Sequence, residues 1–118
     1  MATDDVLDPA VVADLRRAQD AFGNPAFIRD LVELFRSRTP GKLDQVREAL
    51  AAGDAASVEQ VAHALRSSCG MLGASRMAAA AARMEEAAAC ADLAAAAAAF
   101  QDTEEQMPGV LEALSALE

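Results

Sequence analysis

The chain has 118 residues, enough for one compact domain, and 53% of them are apolar, with alanine dominant and neither Trp nor Tyr present. Alanine favours helix and adds little core volume, so closely packed helices are expected and a sheet is not. A net charge of −9 argues against nucleic acid, whose affinity rests on neutralising phosphates, and equally against an anionic membrane surface.

The first seven residues, Met1 to Leu7, read as a loose acidic lead-in without the apolar stretch of a signal peptide. Asp8-Pro9 then gives an N-cap followed by proline in the first turn, a strong helix start, and Val12 and Leu15 give this short helix an apolar side. Gly23 ends it. Asn24-Pro25 repeats the start signal, followed by Ile28, Leu31, Val32 and Phe35 at helical spacing. Thr39-Pro40 is a third such signal, followed by Leu43, Val46 and Leu50. It reads either as a new start or as a kink within one long helix from about Pro25 to Ala52.

Gly53 and Asp54 mark a C-cap and an N-cap, and the next helix is expected from about Ala55 to Leu72, with Gly73 ending it. Ser75 is a cap candidate for a helix reaching about Ala91, and Asp92 for the last one. There Leu93, Phe100, Met107, Leu111 and Leu114 keep one stripe across Pro108, which favours a kink over a break. The alanine-rich stretch Ala78–Ala99 has Met84 and Leu93 as anchors, so it reads as packed helix. The run Ala94–Ala99 is too short to span a bilayer. The expected fold is all-α: an antiparallel four-helix bundle over residues 8–118, with one or two short additional N-terminal helices. The expected location is the cytoplasm.

Chemistry concentrates on the helix after Asp54. At about 100° per residue, Val58, Val61, Leu65 and Leu72 fall within about 40° of the point opposite His63, the chain's one histidine. The face around His63 carries Glu59, Gln60, Arg66, Ser67 and Gly70. The helix therefore buries one side and shows the imidazole on the other. Arg66 lies one turn on, within reach of a phosphoryl group held by the ring, and Ser67 and Gly70 are small enough to leave the ring open to a docking protein. An accessible imidazole beside a cation is what a phosphohistidine requires, because imidazole titrates close to neutral pH and its free nitrogen is the nucleophile.

The stretch Ala62-His63-Ala64-Leu65-Arg66-Ser67-Ser68-Cys69-Gly70-Met71-Leu72-Gly73-Ala74 resembles the signature of histidine-containing phosphotransfer (HPt) domains, roughly Ala-His-x-Leu-Lys-Gly-Ser-x-x-x-Leu-Gly-Ala. Gly53-Asp54, Met84-Glu85-Glu86 and the upstream Phe35, Thr39-Pro40 and Leu43 also look like the family. The resemblance implies that His63 is the phosphoacceptor and that Arg66, at the family's usual Lys position, neutralises phosphoryl charge. Gln60, one turn earlier, is a further candidate to bond the ring or the phosphoryl group. Ser67 stands where the family most often has Gly, which bears on partner fit. Glu59, Ser67 and Gly70 would line the docking surface.

The partners so implied are receiver domains of response regulators and hybrid sensor kinases, exchanging the group between a receiver aspartate and His63. Any Mg²⁺ would sit on the receiver and no cofactor on this chain, which has no P-loop and no glycine-rich nucleotide motif. The role is that of a phosphocarrier without kinase activity, and an initiator-like Met1 fits a free-standing protein. A second reading, a helical module that binds a receiver or kinase without phosphotransfer, has no need of an open imidazole. Cys69 and Cys90 form no CxxC pair or ligand cluster, so neither a disulfide framework nor a zinc site is expected. Cys69, at the edge of the apolar stripe, reads as an inert packed thiol. The pairs Glu85-Glu86 and Glu104-Glu105 read as solvated surface, and Met77, Met84 and Met107 as core filling.

Overall fold

The Asp8 carboxylate accepts a hydrogen bond from the Ala10 N–H at 2.9 Å, and from that cap the first helix, α1, runs over Pro9–Phe22 to a left-handed Gly23. In the computed structural model, which describes residues 6–118, four longer or comparable helices follow: α2 (Phe27–Ala51), α3 (Ala55–Met71), α4 (Ser75–Ala89) and α5 (Leu93–Ser115). One short N-terminal helix therefore precedes a four-helix bundle. No strand occurs among the described residues.

The entry to α2 is capped from two sides. The Asn24 side chain accepts from the Ala26 N–H, and Gln19 reaches over from α1 to accept from the Ile28 N–H, both at 3.0 Å. These bonds satisfy donors that a helix start leaves without an intrahelical partner. The Thr39-Pro40 ambiguity is resolved as one continuous helix, and α5 likewise continues through Pro108. Both prolines lie on exposed faces, where water can reach the carbonyl that each leaves without a donor. Asp54 and Asp92 cap α3 and α5 as expected, accepting from the Ser57 and Ala95 N–H groups at 3.1 Å. The two hydrogen bonds from Ser57, hydroxyl and backbone, hold the Asp54 carboxyl below its ordinary range. Ser75 is not the cap expected of it: it is the first residue of α4, after Ala74, and α4 ends at Ala89, two residues short of the expected Ala91. Ala91 itself turns the chain with a positive φ of 59°.

Three-residue loops join α2 to α3, α3 to α4 and α4 to α5, which makes sequential neighbours antiparallel, and α5 closes the bundle by returning to α2. The core runs through Val32, Phe35, Val46, Val58, Leu65, Met77, Met84, Phe100, Val110 and Leu114. The alanine-rich stretch is packed helix: Ala80, Ala81, Ala88, Ala96 and Ala99 are all buried. Their small side chains let α4 lie close to its two neighbours, and the α3–α4 and α4–α5 interfaces are the most extensive in the bundle.

The loose lead-in expected over residues 1–7 needs correction at its end, residues 1–5 lying outside the described part. Leu7 is buried and Val6 packs against the core, where they extend the apolar contact between α1 and the last turns of α5. The Asp8 N–H donates to the Gly73 carbonyl at 2.7 Å, which ties this segment to the α3–α4 loop. Among the described residues no helix is long and apolar enough to cross a membrane.

Burial also sets the two thiols apart. Cys69 is buried, which pushes its thiol up to about 12, whereas Cys90 is exposed in the α4–α5 loop. The thiolate is the reactive form. One equivalent of an alkylating reagent should therefore react with the folded protein, at Cys90, and a second only after denaturation. Mass spectrometry of the labelled peptides checks this, and rapid native labelling of Cys69 would contradict it.

Candidate functional site

The middle of α3 carries the site. Val58, Ala62, Leu65 and Cys69 are fully buried, and His63 faces outward with its side chain 58% exposed. The helical phase read from the sequence thus places the imidazole correctly. Arg66, Ser67, Gly70, Glu59 and Gln60 are all exposed around it.

What positions the ring comes from α4. Glu85 Oε2 lies 2.8 Å from His63 Nδ1, and Glu85 is only 19% exposed. A carboxylate accepts and does not donate, so Nδ1 carries a proton, and in the neutral ring the lone pair is on Nε2. Arg66 Nε stands 3.3 Å from the other carboxylate oxygen, Oε1, as an ion pair. That oxygen is buried and makes no hydrogen bond, so the Arg66 contact is electrostatic and not a directed bond. Glu85 thus bridges the imidazole and the guanidinium, and holds both from a second helix.

Glu85 was not legible as a site residue. Read as solvated surface alongside Glu86, it instead sits on the edge of the α4 apolar stripe. Taking Met77 as the origin of that stripe, Glu85 lies at about 80° and Glu86 at about 180°. The phase of α4 separates the two; which helix the edge faces is a tertiary fact. Gln60 makes no hydrogen bond to the ring. It lines, with Ala56, Glu59, His63 and Glu85, a shallow open depression beside the imidazole.

A second feature lies between α2 and α3. Leu31, Leu34, Phe35, Arg38, Thr39 and Lys42 of α2 and Ser68, Met71 and Leu72 of α3 line an apolar groove of ≈ 200 Å³. Leu34 and Met71 are unusually exposed for their type, at 44% and 58%. Met71 follows Ser67 and Gly70 along the exposed side of α3. Arg38 and Lys42 put positive charge on the rim, in a protein whose net charge is −9. Among the described residues no group of His, Cys, Asp and Glu is arranged to hold a metal ion.

An all-α bundle that displays one imidazole at mid-helix, clear of its core and beside a cation, falls in the class of histidine-bearing helical bundles. The family model of the Hpt domain matches residues 30–118, and the chain belongs to that family. Hpt domains carry out histidine phosphotransfer in phosphorelays and interact with receiver domains. Among solved structures, histidine-containing phosphotransfer protein B (HptB) from Pseudomonas aeruginosa PAO1 matches with a TM-score of 0.84. The match covers 96% of this chain and 94% of that one at 24% identity, so it reaches into α1, all of which precedes the family match. A search of curated proteins finds no match.

Proposed function

We propose that His63 is the phosphoacceptor of a phosphorelay, taking a phosphoryl group from a receiver-domain phosphoaspartate and passing it to the aspartate of another receiver. The observation that carries this reading is the ring itself: it is exposed and its Nδ1 is bonded to Glu85, which in the neutral ring leaves Nε2 as the free nitrogen. Phosphoryl transfer depends mainly on positioning and charge neutralisation. A nucleophile fixed on a packed helix, with the Arg66 guanidinium one turn away, supplies both from this side. The receiver brings the carboxylate and its Mg²⁺, so this chain works without a cofactor or a nucleotide of its own. It meets its partners in the cytoplasm.

The receiver covers His63, Glu59, Ser67 and Gly70 and extends over Met71 and Leu34. Gln60 stands where it meets the phosphoryl group or the receiver. The test is transfer of labelled phosphate from a phosphorylated receiver to wild type and to His63→Gln. Label on the wild type alone is the expected result. Equal label on both proteins, or none from any receiver tried, would sink the proposal.

Gly70 offers a finer check. A Cβ built there meets nothing within 4 Å, so the bundle's own packing has no need of glycine at this helical position. Gly70→Ala should raise the unfolding free energy by roughly 0.5–1 kcal/mol, the usual gain from removing a helical glycine. The same substitution should slow transfer from a receiver, because the added methyl stands where the partner's surface comes close. A stabilised variant that transfers at the wild-type rate would remove Gly70 from the docking surface.

A further inference from the structure

The bond between Glu85 and His63 has a consequence for the phosphorylated state, which rests on the reading of His63 as phosphoacceptor. We infer that Glu85 is a positioning residue that keeps a proton on Nδ1 through the whole phosphoryl cycle, so that the protein carries its phosphoryl group as a cationic phosphoimidazole and releases it readily.

The proton inventory leads there. Attack needs a free ring nitrogen, so the reacting form is the neutral ring with its hydrogen on Nδ1, facing Glu85 Oε2 at 2.8 Å. The Nε2 lone pair attacks phosphorus and forms the N–P bond, while the P–O bond to the donor aspartate breaks and its electron pair stays on that carboxylate. No proton has to leave the ring. The product is a phosphoimidazolium whose positive charge lies against the Glu85 carboxylate. In the onward step the N–P bond breaks, its electron pair returns to Nε2, and phosphorus bonds to the acceptor aspartate. The leaving group is then the neutral imidazole of the starting state, again with hydrogen on Nδ1.

Had the phosphorylated ring lost its Nδ1 proton, the leaving group would be an imidazolate anion, a much poorer one. Glu85 opposes that loss, because a carboxylate oxygen can only accept. Deprotonation would leave two lone pairs facing each other at hydrogen-bond distance, in a place where Glu85 is mostly shielded from water. An amide at this position differs in kind: it can rotate and donate its NH₂ to a bare Nδ1, which makes the neutral phosphoimidazole acceptable. Glu85 cannot turn away easily, since Arg66 engages its second oxygen. The other charged side chains beside the ring, Glu59 and Arg66 on α3, have no hydrogen bond to it.

The test uses wild type, Glu85→Gln and Glu85→Ala, each phosphorylated with phosphoramidate, which needs no receiver, and each checked for folding by its thermal melt. Two quantities are read: the ¹⁵N shift of Nδ1 before and after phosphorylation, and the half-life of the phosphohistidine at neutral pH. In wild type, Nδ1 should show the protonated ring shift in both states. In Glu85→Gln the unphosphorylated tautomer should be preserved, since the amide oxygen still accepts, but the phosphorylated ring should lose its Nδ1 proton and the phosphohistidine should persist about fivefold longer, in keeping with the excess of a charged over a neutral hydrogen bond. Glu85→Ala should lose the fixed tautomer as well. Equal half-lives and equal Nδ1 protonation in wild type and Glu85→Gln would overturn the inference while leaving His63 as phosphoacceptor. Failure of the wild type to acquire phosphate at His63 would overturn both.

Discussion

Gly73→Ala should lower the free energy of unfolding by about 2–4 kcal/mol, measured by urea denaturation, combining a left-handed backbone penalty with an overpacking penalty. Gly73 has φ of 78°. A Cβ there would stand 3.0 Å from Val11 Cβ and 3.3 Å from the Asp8 backbone nitrogen, and neither neighbour is the free end of a flexible side chain. The Asp8 N–H is moreover the donor that binds the Gly73 carbonyl at 2.7 Å, so relief of the clash would weaken the link between the start of α1 and the α3–α4 loop. Gly53→Ala separates the two contributions. Gly53 has φ of 68°, but a Cβ there meets only the end of the Leu93 side chain at 4.0 Å. It should show the backbone penalty of about 1–2 kcal/mol and little more. Equal losses for the two variants would show that the contact with α1 contributes nothing.

Aspartate in place of Met71 or Leu34 should reduce the second-order rate of transfer from a phosphorylated receiver by about thirtyfold, the size expected for losing an apolar anchor at the centre of an interface. Both side chains are exposed, so neither substitution opens a hole in the core, and the melting temperature should move little. Labelling of His63 by a small phosphodonor should be unchanged, since the ring, Glu85 and Arg66 stay in place. That contrast identifies a docking defect. An unaltered transfer rate in both variants would mean that the receiver approaches without touching the α2–α3 groove. The basic rim formed by Arg38 and Lys42 should add a salt dependence, because a receiver approaches with an anionic phosphoaspartate.

Much of this arrangement is legible before folding, because it follows from local rules. Asp8-Pro9, Asp54 and Asp92 start helices as their side-chain chemistry dictates, and the phase of Val58, Leu65 and Leu72 against His63 puts the imidazole outside. What the sequence hides is tertiary. Glu85 is an unremarkable acid until α4 is laid against α3, whereupon the edge of its apolar stripe meets the ring. The α2–α3 groove is hidden for the same reason, since Leu34 and Met71 lie on different helices and neither breaks its helix's pattern conspicuously. Thr39-Pro40 was ambiguous because a start signal and an interior proline look alike locally, and only burial of the flanking Phe35 and Leu43 along one helix decides between them. At Val6 and Leu7 acidic neighbours mask two apolar residues that find room beside α5.

The alanines buried in α4 set how near that helix lies to α3, and so the separation between Glu85 and His63. A single added methyl at Ala80 or Ala81, far from any reacting atom, would push the carboxylate away from the ring. Under the proposed role of Glu85, core volume becomes a kinetic setting: the memory of the relay, the time for which a received signal persists before it is passed on or lost, is written in the girth of a helix.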